Sequence, residues 1–514
     1  MDINALLPSP AVHAPPNTST SQKVEDHTRP LNIILMIADG MSPQLFQLAD
    51  MYHTLKTGKH LSLQQAMEPL GLTFTTAWRE EITDSAAAAT AIFSGHRTTN
   101  GNINVSPELK PLTTITEAAK KQGYRIGIVT TTHLTHATPA GVYAHTSDRD
   151  DEARIAEQLF LFQPDVALGG GRRFFRPVRQ CEEGRSDDVD LIHLFQKNGY
   201  DILWNREHLW QRMVEDEQFL SKQRDHSTPF STHHPSNKLL GLFQPGHMSF
   251  EIDRLRTRDI HEPSLAEMTK TALHALERLD SKQGNKHKPL MLVVEGGRID
   301  HLAHAHDTRA AIDEVIAFDR AVAVALDYQT SHPNTLIIVT SDHDTGGLIW
   351  GEQETLALHH LDHIEVSLDW LNFLVLSMLE RKQYGGFYET ADAYINHALE
   401  DLWGLRLSDD EQKALHAELS MERINQLKKA ITPSTTLDQT AFQYVLDIAN
   451  SLITRALNSR IGLHWTTPGH TDGAVMTWAK GPGKAADIFR GAYHLTDIPR
   501  KIANVAQIDF STKT

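Results

Sequence analysis

Residues that commonly bind metal ions follow several apolar runs of this sequence. The runs LNIILMIA, PLMLVV and TLIIVTS are followed by Asp39, by Glu295, and by Asp342 and His343, and RIGIVTTT is followed shortly by His136. If these runs are parallel strands, their carboxyl ends meet at one edge of a sheet, where α/β proteins bind ligands. A single Asp after a strand is often only a helix N-cap. Four such strand ends are not explained by capping and predict a ligand site.

The segment EGGRIDHLAH, residues 295–304, has a spacing that suits a divalent cation. If a helix begins near Ile299, Asp300 and His304 lie four positions apart on one helix face. A carboxylate oxygen and an imidazole nitrogen in that arrangement can bind one ion, and Glu295 would reach a neighbouring one. The alternative is an ordinary Asp/His pair on a helix surface.

The candidate nucleophile is Ser85, in the segment TDSAAAATA. It would begin an alanine-rich helix, whose N-terminal N–H groups attract an oxyanion or a phosphate. No G-x-S-x-G motif surrounds it, so its hydroxyl would need a metal ion to lower its pKa. The alternative is that Ser85 or Asp84 only caps the helix.

The charges of these residues indicate several metal ions rather than one. Asp39, Glu295, Asp300 and Asp342 would carry four negative charges, and carboxylates within ~4–6 Å of one another repel and raise each other's pKa. Three divalent cations would reverse that sign, and Arg149 offers a guanidinium that can bind two phosphate oxygens. A pocket for a phosphate monoester dianion is therefore compatible with an acidic chain.

The overall composition excludes several classes of protein. The 514 residues carry a net charge of −16, which is unusual for a protein that binds nucleic acid or anionic lipid. A single cysteine, Cys181, excludes an internal disulfide framework and a cysteine-rich metal site, whereas 30 histidines favour metal binding. No apolar run reaches the ~18 residues of a membrane span.

The elements that must position the candidate residues alternate between apolar runs and longer stretches of helical spacing. We predict strands at residues 31–38, 125–130, 165–168, 289–294, 335–340 and 474–479, with helices between them at, for example, 114–122, 264–279 and 309–325. Continuous Ile/Val/Leu runs are typical of strands covered on both faces. This alternation predicts an α/β fold with a large, mostly parallel central sheet flanked by helices on both faces.

Two segments depart from this pattern. Residues 1–29 are rich in Pro, Ser and Thr and lack the charged and apolar regions of a secretory signal, so we interpret them as a flexible leader or the remnant of a processed start. Residues 376–460 contain a capping box at Ser408 and Glu411 and polar helical patterns at 414–429 and 440–457. We interpret them as a helical insertion, either a solvated decoration or a lid or subunit contact, within one catalytic domain spanning 30–512.

Taken together, the motifs resemble the alkaline phosphatase family. The matching segments are IADGMS (37–42), TDSAAAATAIFSG (83–95), HATPAGVYAHTSDR (136–149), GGGRRFF (169–175), GLF (241–243), VEGGRIDHLAHAHD (294–307), TSDHDTGG (340–347) and TPGHTDGAV (467–475). They occur in the family's order and cover residues 31–505 apart from the helical insertion. The resemblance implies an alkaline-phosphatase-like fold and the hydrolysis of phosphate monoesters through a phosphoserine on Ser85.

The resemblance also implies a role for each matching residue. The first zinc would be bound by Asp300, His304 and His470, the second by Asp39, Asp342, His343 and Ser85, and a magnesium by Asp39, Thr138, Glu295 and the variable position His136. Arg149 would bind the substrate phosphate, with His136 and His301 near it. The family is often homodimeric and commonly works in the periplasm or outside the cell. The resemblance implies no nucleic-acid partner.

Two positions of the pattern vary within the family, and both are histidine in this chain. His136 stands where other members have Asp or His, and His301 where they have Lys, Trp or His. The third site is therefore expected to hold magnesium or another divalent metal. The extra histidines, at positions 233, 234, 359, 360 and 363, are interpreted as loop residues. A phosphodiesterase, sulfatase or phosphomutase on the same metal platform is the alternative function, and a non-catalytic phosphate- or metal-binding protein is a second one.

Overall fold

The computed structural model describes residues 31–181, 184–224, 238–256, 261–280, 288–352, 355–381, 391–418 and 437–510. The predicted leader at 1–29 lies outside these ranges, as do His233 and His234. The expectation of one catalytic domain over residues 30–512 therefore stays a prediction.

The strands account for the predicted apolar runs and add several shorter ones. They are β1 (Asn32–Ala38), β2 (Pro69–Phe74), β3 (Arg125–His133), β4 (Val166–Gly170), β5 (Tyr200–Leu203), β6 (Lys238–Leu242), β7 (Leu290–Gly296), β8 (Thr335–Thr340), β9 (Asp344–Thr345), β10 (Leu348–Ile349), β11 (His464–Trp465), β12 (His470–Thr471), β13 (Val475–Lys480) and β14 (Gly491–His494). All six predicted strands are present. The other four strands of the central sheet, β2, β5, β6 and β14, and the two-residue strands β9 to β12 were not predicted.

The α-helices lie mostly between the strands. They are α1 (Pro43–Thr57), α2 (Ser62–Ala66), α3 (Ser85–Ser94), α4 (Ile115–Lys121), α5 (Ala137–Ala140), α6 (Glu152–Phe162), α7 (Leu191–Lys197), α8 (Arg206–Arg224), α9 (Glu251–Arg256), α10 (Leu265–Asp280), α11 (Arg298–His304), α12 (Thr308–Ser331), α13 (Leu368–Arg381), α14 (Ala391–Trp403), α15 (Asp409–Glu418), α16 (Leu437–Ile461) and α17 (Asp497–Ala506). None of the helices in the described ranges is long and apolar enough to cross a membrane.

Ten strands form one central sheet in the order β14-β2-β13-β8-β1-β7-β3-β4-β6-β5. Strand β13 is antiparallel to both of its neighbours, β2 and β8, and the other nine strands run in one direction. The predicted α/β fold with a mostly parallel central sheet is thus confirmed.

The two faces of the sheet are both covered, which is why central strands such as β1 are apolar over most of their length. Along β1, Ile34 and Met36 pack into the core on one face, whereas Ile33 and Leu35 pack into the core on the other. All seven residues of β1 are buried. A fixed central strand gives the residue that follows it, Asp39, a fixed position.

The region predicted as a helical insertion is mostly helical where it is described, with a non-helical connection at residues 404–408. The capping box at the start of α15 is present, because the backbone N–H of Glu411 donates to Oγ of Ser408 and that of Ser408 donates to a carboxylate oxygen of Glu411. The helix therefore begins at Asp409, earlier than the predicted 414. Residues 382–390 and 419–436 lie outside the described ranges, and the assignment as an insertion stays a prediction.

A buried acid on α12 predicts a pH dependence of stability. Burial raises the pKa of Glu314 from 4.5 to about 8, although its carboxyl accepts a 2.6 Å hydrogen bond from the backbone N–H of Glu251. Because this pKa is higher in the folded chain than in the unfolded one, the contribution of Glu314 to stability is full below pH 4.5 and is lost as the pH rises to about 8. Above that range it no longer changes with pH.

Glu314→Gln keeps the acceptor but removes the ionisation. We expect the free energy of unfolding of the wild type, minus that of this variant, to fall across that pH range and then to level off. Denaturant melts of both proteins at a series of pH values measure this difference, in which contributions common to both proteins cancel. A difference that stays constant across the range would contradict the assignment.

Candidate metal centre

The strand register brings three acidic side chains to one edge of the sheet. Ile37 of β1 is level with Glu295 of β7 on one side and with Thr340 of β8 on the other. Asp39 is the first residue after β1 and Asp342 is the second residue after β8, so both lie beside the end of β7. This is the juxtaposition that the sequence predicted from the apolar runs.

A tight turn after β1 connects this strand end to the neighbouring one. Gly40 has φ +74° and donates its N–H to Oδ1 of Asp342, at 3.1 Å. Met41 donates its N–H to Oγ of Ser341, at 3.0 Å. The turn thereby fixes the separation of Asp39 from Asp342.

Asp300, His304 and His470 form the first of three clusters whose ligand-type atoms lie within 4.8 Å of one another. Asp300 and His304 lie on one face of α11, as their spacing predicted. The Nδ1 atom of His304 is 2.5 Å from the carbonyl of Pro468, and that of His470 is 2.8 Å from the carbonyl of Thr83. Since a carbonyl only accepts, each Nδ1 carries a proton, and Nε2 of each ring lies towards Asp300, at 3.4 Å for His304 and 3.6 Å for His470.

The second cluster consists of Asp39, Asp342 and His343, which are all fully buried. Nε2 of His343 is 3.2 Å from Asp342 and 3.7 Å from Asp39. The Nδ1 atom of His343 is 3.2 Å from the hydroxyl of Thr345, which donates to Asp300 at 2.6 Å. Thr345 therefore connects the second cluster to the first.

The third cluster consists of Asp39, His136 and Glu295. One carboxylate oxygen of Glu295 accepts hydrogen bonds from Thr130 and Thr132 of β3, whereas the other has no partner. Asp39 belongs to two clusters, so the three groups form one continuous centre.

The electrostatics of this centre favour bound cations. Burial, together with repulsion from Asp342, Asp300 and Glu295, raises the pKa of Asp39 well above its ordinary value. Burial raises the pKa of Glu295 to about 7, and burial and the charge of Asp300 raise that of Asp342 to about 6. The pKa of Asp300 is low instead, because hydrogen bonds with His304 and His470 outweigh its burial.

The unpartnered atoms of the centre match the donors that divalent metals require. Both oxygens of Asp39, one oxygen each of Glu295 and Asp342, Nδ1 of His136 and the hydroxyl of Thr138 are buried without a hydrogen-bond partner. Buried polar atoms in native proteins are otherwise satisfied. The first cluster offers two imidazoles and one carboxylate, a set that suits zinc. The second and third clusters each offer two carboxylates and one imidazole, which suit zinc or another divalent metal. The unpartnered hydroxyl of Thr138 adds an oxygen donor to the third cluster, which also suits magnesium. The residues present thus fit the metals that the resemblance implies.

Ser85 lies at the centre of this arrangement and is not the helix cap. Asp84 is the N-cap of α3: it accepts from the N–H of Ala87 at 2.8 Å, and Ser85 is the first helical residue. Oγ of Ser85 is 3.3 Å from Nε2 of His343, in the second cluster. The alternative that Ser85 caps the helix is therefore wrong, and Asp84, which is the cap, also pairs with Arg149.

Arg149 lies beside Ser85 because Asp84 holds it there. Its guanidinium forms an ion pair with Asp84 at 3.1 Å and lies 3.2 Å from Nε2 of His136. His301 reaches the same region, and its ring packs edge-on against that of His136 at 5.7 Å.

The structure brings every predicted site residue to this edge of the sheet. They are Asp39, Ser85, His136, Thr138, Arg149, Glu295, Asp300, His301, His304, Asp342, His343 and His470. The histidines at 359, 360 and 363 lie in a 3₁₀ turn, Leu358–His363, and belong to none of the three clusters.

Sequence reasoning missed His247, which packs against the site residues His136 and His301 and against His133 at the end of β3. Its ring lies 4.1 Å from that of His133, 4.7 Å from that of His301 and 5.6 Å from that of His136. It follows Pro-Gly in a loop after β6, and no spacing or periodicity distinguishes it. Only the three-dimensional fold identifies it.

A mostly parallel sheet whose carboxyl edge carries three carboxylate–histidine clusters around one buried serine defines a metal-dependent hydrolase. The family model described as alkaline phosphatase matches residues 31–508. The chain belongs to the alkaline phosphatase family and is a phosphoric monoester hydrolase.

Individual relatives agree with this assignment. The chain is 34% identical to the repressible alkaline phosphatase of Saccharomyces cerevisiae over 63% of its own length and 56% of that protein. It is 31% identical to the alkaline phosphatase of Schizosaccharomyces pombe, over 90% of this chain and 79% of that one. The crystal structure of Thermus thermophilus alkaline phosphatase superposes with a TM-score of 0.74 at 27% identity, covering 94% of this chain and 92% of that chain.

The turn at Gly40 offers a test of how closely the centre is packed. A Cβ at Gly40 would lie 2.7 Å from Cα of Asp300, whereas a Cβ at Gly58, which has a similar φ of +72°, would meet nothing within 4 Å. We expect Gly40→Ala to displace Asp300 and to lower both zinc affinity and phosphatase activity at least ~10-fold. Gly58→Ala should cost only about 1 kcal/mol of stability, through the same backbone strain.

Zinc titration monitored by calorimetry, together with activity measurements and thermal melts, separates these effects. Equal losses of zinc affinity in the two variants would show that strain, rather than contact with Asp300, is responsible.

Proposed function

We propose that this chain hydrolyses phosphate monoesters in two steps, with Ser85 as the residue that is transiently phosphorylated. The supporting observation is the position of its hydroxyl, 3.3 Å from His343 and at the first turn of α3, with Arg149 held nearby. Transfer of the phosphoryl group to Oγ releases the alcohol, which leaves with a proton. Water then attacks the phosphoserine, releasing inorganic phosphate and restoring Ser85.

Phosphate binding in this proposal depends on Arg149 and on the start of α3. The carboxylate of Asp84 accepts a hydrogen bond from the backbone N–H of Ala87. The backbone N–H groups that precede Ala87 in the first turn of α3 would then donate to phosphate oxygens. The ion pair between Asp84 and Arg149 orients the guanidinium towards the same point. The planar guanidinium of Arg149 and the N-terminal N–H groups of α3 can both donate hydrogen bonds to a phosphate dianion, whose charge is spread over three oxygens.

We assign the metals to the three clusters as two zinc ions and one magnesium. Asp300, His304 and His470 would hold one zinc; Asp39, Asp342, His343 and Ser85 the other; and Asp39, His136, Thr138 and Glu295 the magnesium or another divalent metal. When bound, such ions supply Lewis acidity that stabilises negative charge on the attacking and leaving oxygens.

The chain's own residues prepare the centre for this chemistry. The carbonyls of Pro468 and Thr83 hold the imidazoles of His304 and His470 in one orientation. Burial of Asp39, Asp342 and Glu295 keeps water away from the carboxylates and so strengthens their electrostatic interactions. Positioned groups that need not reorganise during the reaction are the main source of such catalysis.

Substrate specificity is expected to be broad, because nearly all the residues named above would contact the phosphate group and few would contact the alcohol portion of the substrate.

We further propose a homodimer. Leu72, Phe74, Trp78 and Ile82 are each 39–46% exposed in the segment that leads to Ser85, and a group of exposed apolar side chains is typical of an interface. A mass measurement in solution decides between monomer and dimer.

The compartment is proposed from the family, whose members typically work outside the cytoplasm or at a membrane. We propose a periplasmic or extracellular enzyme, which cell fractionation tests.

Ser85→Ala tests the proposed intermediate. Removing the hydroxyl should abolish trapping of phosphoserine from a labelled monoester and lower kcat by roughly 10³-fold or more, because the acceptor of the phosphoryl group is lost. Acid quenching followed by peptide mass spectrometry measures the trapped phosphate, and a chromogenic monoester measures kcat.

Ser94→Ala is the matched control, since Ser94 is buried at the other end of the same helix, where its hydroxyl donates to the carbonyl of Thr90 at 2.7 Å and accepts from the backbone N–H of His96 at 3.3 Å. This variant should retain the intermediate and the activity. Full activity of Ser85→Ala would contradict the proposal, and faster turnover of a diester or sulfate ester than of the monoester would favour the alternative reactions.

A further inference from the structure

A cavity beside the metal centre is lined by a positively charged side chain, Arg298, to which the proposed function gives no role. Its volume is about 280 Å³. Its lining includes His247, Phe250, Arg298, His301, Leu368 and Asp369. One wall of the cavity, formed by His301 and His247, is shared with the centre, because both rings pack against His136.

Arg298 is held in place without a counter-ion. Its guanidinium lies over the ring of Phe250, 3.7 Å from the ring centroid, and Nη1 donates to Nδ1 of His301 at 2.6 Å. Nε is buried and has no hydrogen-bond partner. Within the described part of the chain, no carboxylate lies within ion-pair distance of this guanidinium. A positioned, unpaired cation at a cavity wall is a binding group for an anion.

The acids near Arg298 are mostly engaged elsewhere. The carboxylate of Asp253 accepts from both the N–H and the hydroxyl of Ser367, at 2.9 and 2.6 Å. Glu262 accepts from the N–H and the hydroxyl of Ser249, at 2.9 and 2.5 Å. Burial raises the pKa of Glu314 to about 8, so this group is mainly neutral at pH 7. Among the acidic side chains of the described residues, only Asp369 lines the cavity, and it is exposed.

The two histidines of the shared wall present donors. Nδ1 of His301 accepts from Arg298, so the ring proton of His301 is on Nε2. Nδ1 of His247 accepts from the backbone N–H of His133 at 3.3 Å, which places its proton on Nε2 as well. The cavity lining therefore combines the guanidinium of Arg298 with two rings that carry N–H groups, opposed by the single exposed carboxylate of Asp369. A guanidinium held in this way suits a carboxylate ligand.

We propose that this cavity is a subsite for the leaving group, and that Arg298 binds a carboxylate on the alcohol portion of the phosphate monoester. The proposal rests on the proposed function, since it concerns the group released when phosphate is transferred. The proposal predicts that the enzyme prefers substrates whose alcohol portion carries a carboxylate. The net charge of −16 would by itself disfavour such substrates, because they carry an additional negative charge.

The test compares two series of substrates that differ only at one end. Alkyl phosphates ending in a methyl group are paired with alkyl phosphates of equal length ending in a carboxylate, and kcat/KM is measured for each with the metal-loaded enzyme. We expect the ratio of carboxylate to methyl substrate to exceed one and to peak at one chain length, on the order of tenfold for one charge-assisted hydrogen bond.

Three variants identify the responsible group. Arg298→Gln should reduce the ratio to one or below, Arg298→Lys should retain part of it, and Asp369→Asn should increase it, because Asp369 repels the same carboxylate. Arg490→Gln is the matched control for lost positive charge, since Arg490 is exposed and pairs with Glu68 at 3.3 Å, and it should leave the ratio unchanged.

A wild-type ratio at or below one at every chain length overturns the subsite, as does a ratio that Asp369→Asn lowers. If Arg298→Gln does not fold, the Lys and Asp369 variants still decide. Failure of the wild type to hydrolyse the methyl-terminated esters would instead count against the proposed function, so the two failures are distinguishable.

Discussion

Mutual repulsion among buried carboxylates is the constraint on which the rest of this structure depends. Asp39, Asp342 and Glu295 are essentially inaccessible to water, and each lies close enough to another acid for its pKa to be raised. Burying even one unpaired carboxylate costs several kcal/mol. Such a cluster is stable in its ionised form only when cations compensate it, so the fold and the metals must be treated as one system.

The surrounding hydrogen bonds are organised to hold the centre in one geometry. Gly40 ties the end of β1 to Asp342, and Thr345 joins His343 to Asp300. Asp84 combines two tasks, because it caps α3 and also pairs with Arg149. The position of the serine and the position of the guanidinium therefore depend on one side chain. This sharing explains how residues far apart in sequence keep a common geometry.

The sequence predicted the part of the fold that burial imposes on composition. Strands such as β1, β7 and β8 are covered on both faces, so they appear as continuous apolar runs, and the acids that follow them are easily found. Strand β2 alternates buried and exposed residues at the edge region of the sheet, and a search for continuous runs does not detect it. The helix spacing likewise predicted Asp300 and His304, because both ligands lie on one short helix.

Residues whose positions depend on contacts between distant segments were not predictable from spacing. His470 lies in a polar segment far along the chain, and only the family resemblance indicated it. His247 had no signal at all, because its neighbours come from three separate elements: His133 from the end of β3, His136 from the residue before α5, and His301 from α11. Arg298 lies inside a recognised motif, but its lack of a counter-ion becomes visible only once the neighbouring carboxylates are placed.

Anomalous X-ray scattering from crystals of the active enzyme, recorded on both sides of the zinc absorption edge, tests the central claim most directly. The account predicts strong zinc peaks at the Asp300–His304–His470 cluster and at the Asp39–Asp342–His343 cluster. It predicts a site without a zinc edge, consistent with magnesium, next to Glu295. Crystals that retain full activity and show no metal at these clusters would contradict it.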